Sequence, residues 1–370
     1  TGGLRFSSAW SSPLCSPTRA GLHTGRFAFR TEVGWALGGR ELGLSLDETT
    51  LPEVVGAQYE TALVGKWHLG ETEATGGTSS PNEHGWGHYN GVLSGALPDY
   101  YAWREVENGV EKGINNEYAL SWKVDRAIEW TAAQEAPWLL VLALNAPHKP
   151  FHAPDPSLHG LALDTPIGDE CPRNEQVACY TAMVEAADTE IGRLLDVVDL
   201  DDTTVVVMGD NGTPKEAVLD PFTRRHAKGT TYEGGVRVPL VVSGAAVRNP
   251  GRVEGDLVQT LDLFTTIVEL TGGDASAGID ARSLVPYLED REPDEAREWL
   301  FTERFADQDP SLADVAIRGP RYSVIRDNGE PAQCFDLDID IDNTDDLNEG
   351  DPPARCAELE ALIATIREAQ

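Results

Sequence analysis

Short apolar runs, each followed by Gly, Asn or Ser, constrain the fold of this chain most strongly. The runs lie at residues 61–64, 139–144, 203–208 and 238–242. Continuous Val- and Leu-rich runs of this length are typical of strands that are buried on both faces. Segments with helical periodicity accompany them, at residues 117–134, 179–198 and 258–270. The alternation predicts an α/β fold in which a mostly parallel central sheet is flanked by helices.

The pattern of predicted strands and helices changes after about residue 298. Residues 322–326 and 333–337 have the composition of short strands, and residues 353–368 have a helical pattern. We therefore predict one α/β domain over 1–298 and a small α+β C-terminal subdomain over 299–370. Because the aspartates there lack the Gly and the terminal Glu of an EF-hand loop, they are interpreted as a solvated acidic hairpin. They are Asp336, Asp338, Asp340, Asp342, Asp345 and Asp346.

The balance of charge excludes some partners. The chain has 29 Lys and Arg against 62 Asp and Glu, a formal net charge of −33. Such a surface repels nucleic acid and anionic membranes, so we expect no nucleic-acid partner. The longest clean apolar run, at 138–144, is far too short to span a membrane, and we expect no membrane span. An anionic substrate would need a locally cationic pocket.

The five cysteines predict a disulfide framework with one residue left over. They show no C-x-x-C pair and no Cys/His spacing of a zinc site. We expect Cys334 to pair with Cys356 and Cys171 to pair with Cys179, which leaves Cys15. Two disulfides imply an oxidising compartment, and we expect a periplasmic or secreted protein.

Polar residues that follow the predicted strands are the candidates for a site, because parallel strands present their carboxyl ends at one edge of a sheet. Cys15 lies in a loop that enters a helix near Thr18, with Arg19 close by; a helix N-terminus and a guanidinium favour anions and lower the pKa of a thiol. Asp210 and Asn211 are hard oxygen ligands that suit calcium or magnesium. The alternatives are a structural cysteine in a turn and a simple Asn-Gly turn.

Taken in order along the chain, these segments resemble the signature of the type I sulfatases of the alkaline-phosphatase superfamily. The matching segments are Cys-Ser-Pro-Thr-Arg at 15–19, Gly-Lys-Trp-His-Leu-Gly at 65–70, His-Gly-Trp at 84–86, Asn-Ala-Pro-His-Lys-Pro at 145–150, Gly-Asp-Asn-Gly at 209–212, Lys-Gly-Thr-Thr-Tyr-Glu-Gly-Gly at 228–235 and Cys-Phe-Asp-Leu at 334–337. The resemblance implies an alkaline-phosphatase-like fold over nearly the whole chain.

The resemblance also implies a role for each matched residue. Cys15 would be oxidised by a formylglycine-generating enzyme, and the hydrated aldehyde would be the nucleophile. Arg19 and Lys66 would hold this diol and the sulfate oxygens, and His68 would act as base when the covalent sulfate is expelled. His148 and Lys228 would bind sulfate and assist the leaving oxygen. The ligands of a divalent cation, usually calcium in this family and with magnesium as an option, would be Asp210, Asn211 and the residue derived from Cys15.

These residue types suit the cleavage of a sulfate ester, which needs a nucleophile, neutralised sulfate oxygens and a proton for the leaving group. We therefore expect a sulfuric-ester hydrolase that acts on a sulfated carbohydrate. A phosphomonoester or phosphonate diester hydrolase and a non-catalytic sulfated-glycan binder remain alternatives. Several aromatic residues either stack on sugars or pack in the core: Trp86, Tyr89, Tyr100, Tyr101 and Trp103.

The sequence departs from the family pattern at its start. The family begins with a strand that ends in two adjacent aspartates, both metal ligands, whereas no Asp-Asp precedes Cys15 here. The expectation is a chain that lacks this N-terminal strand and a cation site short of its usual six to eight oxygen ligands. If Thr1 is the true N-terminus, we expect weak calcium binding and little activity, as in an inactive fragment.

Overall fold

The computed structural model describes residues 2–39, 42–306, 309–327 and 329–368. Within them the strands are β1 (Gly3–Trp10), β2 (Glu60–Lys66), β3 (His88–Val92), β4 (Trp103–Glu107), β5 (Val110–Asn115), β6 (Trp138–Ala143), β7 (Thr204–Met208), β8 (Leu240–Gly244), β9 (Val253–Gln259), β10 (Leu300–Arg304), β11 (Asp314–Arg318), β12 (Tyr322–Arg326) and β13 (Gln333–Asp336). The helices are α1 (Cys15–Thr24), α2 (Ala28–Thr31), α3 (Leu51–Val54), α4 (Ser80–Glu83), α5 (Ala119–Ala132), α6 (Gln176–Leu195), α7 (Glu233–Val236), α8 (Asp262–Thr271), α9 (Val285–Leu288) and α10 (Ala354–Glu368).

The chain divides into two compact units. Unit 1 comprises Thr1–Ala36, Leu200–Leu270 and Asp274–Gln370, and unit 2 comprises Leu37–Asp199 and Thr271–Gly273. Unit 1 is therefore discontinuous and contains the C-terminal sheet.

The first sheet of unit 1 has the order β7-β8-β1-β9 over the described residues. Strand β8 is antiparallel to both β1 and β7, and β9 is parallel to β1. Phe6 and Met208 both pair with Leu240 of β8, so β1 and β7 run in the same direction and their carboxyl ends lie at one edge. Leu4 and Phe6 alternate along β1 into a core that also contains Val242. This edge is where Cys15 and Asp210 follow their strands.

The C-terminal sheet of unit 1 is an antiparallel meander of β10, β11, β12 and β13, which shares an apolar core with α10. A disulfide joins Cys334 of β13 to Cys356 of α10, which confirms the predicted pairing. The small α+β element predicted near the C-terminus is thus present.

The interpretation of the aspartate run as a solvated hairpin is wrong for Asp336, Asp340 and Asp342, which are buried. Their carboxylates are used as acceptors inside the fold. Asp336 pairs with Arg321 at 2.6 Å, and Asp342 Oδ1 accepts the Thr223 N–H at 3.0 Å. Composition alone does not reveal such long-range partners.

The sheet of unit 2 has the order β5-β4-β3-β2-β6 over the described residues. Strand β2 is parallel to both β3 and β6, whereas β3, β4 and β5 are antiparallel neighbours. Gly65 of β2 pairs with Gly91 and with Ala143, and a Cβ on Gly91 would overlap the Gly65 carbonyl oxygen, so glycine is required there. The carboxyl ends of β2, β3 and β6 share one edge. The predicted disulfide between Cys171 and Cys179 is confirmed in this unit.

The α/β class is confirmed, with differences of detail. Two of the three described sheets are mixed, because the run at 238–242 leads into the antiparallel strand β8 in unit 1 and because β4 and β5 are antiparallel in unit 2. Strands β6 and β7 are only partly buried, since each ends its sheet within the described residues. Helix α8 begins at Asp262 because residues 258 and 259 complete β9. No helix in the described part of the chain is long and apolar enough to cross a membrane.

Candidate active-site residues of the two units

The loop after β1 presents Cys15 as the first residue of α1, three positions earlier than the predicted helix entry. Cys15 is 2% exposed and lies outside both disulfides. Two hydrogen bonds fix the loop before it. The Ser12 N–H donates to Thr18 Oγ1 at 3.0 Å, and the Pro13 carbonyl accepts the Gly229 N–H at 2.9 Å. The thiol is therefore held at a helix start, where backbone N–H groups favour negative charge.

One turn along α1, Arg19 is buried and forms an ion pair with Asp210. The Arg19 Nη2 atom lies 3.1 Å from Asp210 Oδ2. Asp210 follows β7 at the same sheet edge as Cys15, so the pair links the cysteine helix to the Gly-Asp-Asn-Gly turn. A buried guanidinium beside a carboxylate is balanced in charge, which lowers the cost of burying both.

The side-chain oxygen of Asn211 is placed so that it could act as a metal ligand. Its Nδ2 donates to the Gly212 carbonyl at 3.0 Å, which turns Oδ1 away from that contact. This Oδ1 is buried and has no hydrogen-bond partner within the described residues. Carboxylate and amide oxygens suit hard cations, so Asp210 and Asn211 fit two positions of a calcium or magnesium site. Among the described residues, no group of three His, Cys, Asp or Glu is arranged to hold a metal.

Lys228 lies in a partly buried loop between these two segments. Its N–H donates to the Thr213 carbonyl at 2.9 Å, next to the Asp210 turn. The following residue, Gly229, makes the contact to Pro13 before Cys15. Unit 1 thus brings together Cys15, Arg19, Asp210, Asn211 and Lys228.

In unit 2, Lys66 ends β2 and His68 follows it two residues later. Both side chains are buried. The His68 N–H donates to the Leu93 carbonyl at 2.9 Å, and its ring Nε2 lies 2.8 Å from the Leu37 carbonyl oxygen. His68 has a φ of 61°, a conformation that is uncommon outside glycine and that concentrates at functional sites.

His148 lies in the loop after β6, at the sheet edge that Lys66 also occupies. Its N–H donates to the Asn145 carbonyl at 2.7 Å, and its own carbonyl accepts the Tyr100 hydroxyl at 2.8 Å. Burial raises the pKa of Tyr100, so this hydroxyl stays a donor. Unit 2 thus holds Lys66, His68 and His148 at one edge of its sheet.

A cluster of aromatic and histidine side chains contacts the His148 loop through Tyr100. His152 packs against Tyr100 with ring centroids 4.2 Å apart, and its Nε2 lies 3.0 Å from the Tyr118 hydroxyl. Burial lowers the pKa of His152 to about 4, so the ring is neutral near pH 7. The Nε2 atom of the neutral ring can therefore accept a hydrogen bond from the Tyr118 hydroxyl.

Sequence reasoning missed Lys123 and undervalued Asn145. Lys123 of α5 is fully buried, and its Nζ donates to Asn145 Oδ1 at 2.6 Å. The signal was a lysine on the apolar stripe of α5, spaced with Leu120, Val124 and Ala127. A charged residue at such a position indicates a buried partner.

Most aromatic candidates for sugar stacking lie in the core. Trp86, Tyr89, Tyr100 and Trp103 are each at most 2% exposed, so the suggestion that they form a sugar-binding surface is wrong. Only Tyr101 of this set is partly exposed, and it stacks on Tyr118 with centroids 4.8 Å apart.

Hard oxygen ligands and basic side chains at the carboxyl ends of strands, on an α/β scaffold, are typical of hydrolases that act on esters of oxyanions. The family model described as Sulfatase matches residues 1–273, and the model described as N-sulphoglucosamine sulphohydrolase, C-terminal, matches residues 224–362. The chain belongs to the sulfatase family, a family of sulfuric-ester hydrolases. Membership implies a metal ion and a formylglycine in general terms.

Similar proteins carry sulfatase names. The ulvan-active sulfatase of Formosa agariphila is 26% identical over 352 residues, which cover 90% of this chain and 68% of that protein. The N-acetylgalactosamine-6-sulfatase of Homo sapiens is 30% identical over 329 residues, covering 77% of this chain and 59% of that protein. Arylsulfatase G of Rattus norvegicus is 29% identical, covering 73% of this chain and 58% of that protein. The chain thus spans less than two thirds of these two mammalian relatives.

Solved structures share the fold. Ps i-CgsB in complex with k-i-k-neocarrahexaose has a TM-score of 0.81 and 25% identity, covering 99% of this chain and 84% of that chain. A structure in complex with its substrate D-glucosamine-2-N,6-O-disulfate has a TM-score of 0.77 and 19% identity, covering 99% of this chain and 90% of that chain. The resemblance to the type I sulfatases is confirmed.

Proposed function

We propose that the protein hydrolyses sulfate esters of a sulfated carbohydrate. The observation that carries the proposal is the buried Cys15 at the start of α1, with the Arg19–Asp210 ion pair one turn away. The names of two relatives refer to ulvan and to N-acetylgalactosamine 6-sulfate, and they support a sulfated sugar as the substrate class.

The proposal assigns the nucleophile and the cation ligands to unit 1. Conversion of Cys15 to formylglycine by a formylglycine-generating enzyme would supply a hydrated aldehyde, whose hydroxyl is a nucleophile that a thiol cannot replace. Arg19 orients this group, and Lys228 neutralises sulfate oxygens. Asp210 and Asn211, with the residue derived from Cys15, would hold Ca²⁺ or, as an alternative, Mg²⁺. The buried Oδ1 of Asn211 supports this ligand set.

Unit 2 supplies the remaining basic residues in the proposal. Lys66 binds sulfate oxygens, His68 acts as a base, and His148 binds sulfate and protonates the leaving oxygen. Burial of Lys66 and His68 supports these roles, because a charge or a proton acceptor acts more strongly away from water.

Location and domain boundaries complete the proposal. Two disulfides support an oxidising compartment, and we propose a periplasmic or secreted protein. We propose 1–298 as the catalytic domain and 299–370 as the C-terminal subdomain, since the antiparallel meander begins at Leu300.

The test compares two esters of one leaving group after coexpression with a formylglycine-generating enzyme. We expect 4-nitrophenyl sulfate to be hydrolysed with a higher kcat/KM than 4-nitrophenyl phosphate. Preference for phosphate, or for a phosphonate diester, would favour the alternative hydrolase. Binding of a sulfated oligosaccharide without turnover, at full conversion of Cys15, would favour a glycan-binding protein.

A further inference from the structure

Lys123 is a buried charge whose described hydrogen bond goes to a neutral amide. It is 0% exposed on α5, its Nζ donates to Asn145 Oδ1 at 2.6 Å, and it lies over the Trp103 ring at 5.3 Å from the centroid. An ammonium has three donors and no acceptor. Only the oxygen of the Asn145 side chain can therefore face the lysine, and the orientation of the amide is fixed.

The fixed orientation directs the Asn145 Nδ2 donors away from Lys123. Asn145 is 4% exposed, and its Nδ2 has no hydrogen-bond partner in the part of the chain that the structure describes. A buried donor that lacks an acceptor costs free energy, and buried polar groups in proteins are nearly always paired. The site is therefore built to receive an acceptor from outside the chain.

The surroundings indicate the chemistry of that acceptor. Asn145 accepts the His148 N–H through its carbonyl, so the two residues share one turn. Gly65 pairs with Ala143 across β2 and β6, which sets Lys66 at the carboxyl end of β2 and Asn145 just beyond the carboxyl end of the neighbouring strand β6. A donor at an edge that also carries lysine and histidine favours an oxyanion.

We propose that Asn145 is a further substrate-binding residue, whose side-chain amide donates to an oxygen of the sulfate group, and that Lys123 is the positioning residue that orients it. The inference rests on the proposed function, because it takes the bound oxyanion to be the sulfate ester. It adds a neutral donor to the charged residues assigned above.

The Asn145→Asp substitution separates this role from a structural one. The aspartate keeps an oxygen for Lys123, so a residue that only pairs the buried lysine would tolerate the change. A residue that donates to sulfate would not, because the second carboxylate oxygen repels the anion. We expect Asn145→Ala to lower kcat/KM for 4-nitrophenyl sulfate by about 10²-fold, as for other lost oxyanion donors, and Asn145→Asp to lower it further.

Lys123→Met tests the positioning residue. We expect a smaller loss of kcat/KM than in Asn145→Ala, because the amide remains but is free to flip. Asn116→Asp, at an exposed position of the same unit, is the matched charge control and should keep the wild-type rate. Thermal melting of each variant reports whether it folds, and Asn145→Ser serves if the aspartate variant does not.

Binding of inorganic sulfate, measured by calorimetry, separates this inference from the proposed function. We expect wild-type protein to bind sulfate, Asn145→Ala to bind it at least about 10-fold more weakly, and Asn145→Asp to bind it least. If this order holds while 4-nitrophenyl sulfate is not hydrolysed, the proposed function fails and the inference stands. Wild-type affinity and turnover in folded Asn145→Asp, or no sulfate binding by wild-type protein, would overturn it.

Discussion

The site residues of unit 1 and those of unit 2 are held in different ways. In unit 1, Arg19 is balanced by Asp210, and loops after β1 and β7 are tied by backbone hydrogen bonds. In unit 2, the described contacts of Lys123 and of the His68 ring go to neutral oxygens of Asn145 and Leu37. Among the described contacts, a guanidinium thus faces a carboxylate in unit 1, whereas a lysine and a histidine ring face neutral oxygens in unit 2.

The proposed function gives different tasks to the two groups. An ion pair beside an amide oxygen suits the orientation of a nucleophile and a cation. The Asn145 Nδ2 donors of unit 2, which have no described acceptor, suit an oxygen of a bound anion. Under the proposed function, the lysines and histidines among these residues would attract a sulfate ester locally in a chain with a net charge of −33.

The largest effect is expected from the nucleophile of unit 1. Cys15→Ala should lower the aryl-sulfatase rate by at least about 10⁴-fold, in line with removal of a nucleophile in other hydrolases. The side chain is small and buried, so the variant should fold. The double variant Cys171→Ser, Cys179→Ser is the cysteine control and should keep its rate per folded molecule; equal loss in both would show that Cys15 acts only structurally.

The next effect compares one basic residue from each unit. Lys228→Ala and His148→Ala should each lower kcat/KM by about 10²- to 10³-fold, the usual cost of losing one electrostatic contact to the transition state. Melting temperatures should stay close to wild type, since both substitutions truncate side chains without removing backbone contacts. Rates near wild type in both folded variants would mean that these residues are misassigned.

A measurement of calcium affinity tests whether Asp210 of unit 1 is a cation ligand. Asp210→Asn keeps the shape of the side chain but removes its charge, so we expect at least about a tenfold loss of calcium affinity by calorimetry, because ligand charge sets affinity. A chelator should lower the wild-type rate. Calcium affinity that is unchanged in Asp210→Asn would place the ion elsewhere.

Removing each disulfide in turn compares how much the two bridges contribute to the free energy of unfolding. Cys334 and Cys356 are 22 positions apart, and Cys171 and Cys179 are 8 apart. Loop entropy predicts that replacing each pair by serine lowers the free energy of unfolding by about 3.4 kcal/mol in the first case and about 2.6 kcal/mol in the second. Denaturant titration checks the order, and a larger loss in unit 2 would contradict it.

His152 gives unit 2 a pH dependence of stability. The pKa of His152 is about 4 in the folded protein, whereas the ordinary pKa of histidine is 6.5, so the unfolded chain binds more protons between these two pH values. Stability is therefore lost as pH falls from 6.5 towards 4, by up to about 3 kcal/mol. We expect a shallower fall in His152→Phe, which retains the ring against Tyr100; an identical pH slope of the melting temperature would refute the assignment.

The sequence predicted the elements better than their pairing. The strands at 61–64, 139–144, 322–326 and 333–337 and the C-terminal helix followed from composition and period, and both disulfide pairings were predicted from the positions of the cysteines. The mixed order of the sheets and the partial exposure of β6 and β7 did not, because pairing depends on contacts far apart in sequence. Asn145 was matched within a motif, but its fixed amide depends on Lys123, 22 residues away in another element.

The most direct test of the central proposal measures turnover against the state of residue 15. Protein made with graded amounts of a formylglycine-generating enzyme is assayed with 4-nitrophenyl sulfate, and peptide mass spectrometry gives the aldehyde fraction at Cys15. The account predicts a rate that rises in proportion to that fraction and passes through zero. A rate that is independent of the aldehyde fraction, or full activity with an unmodified thiol, would contradict it.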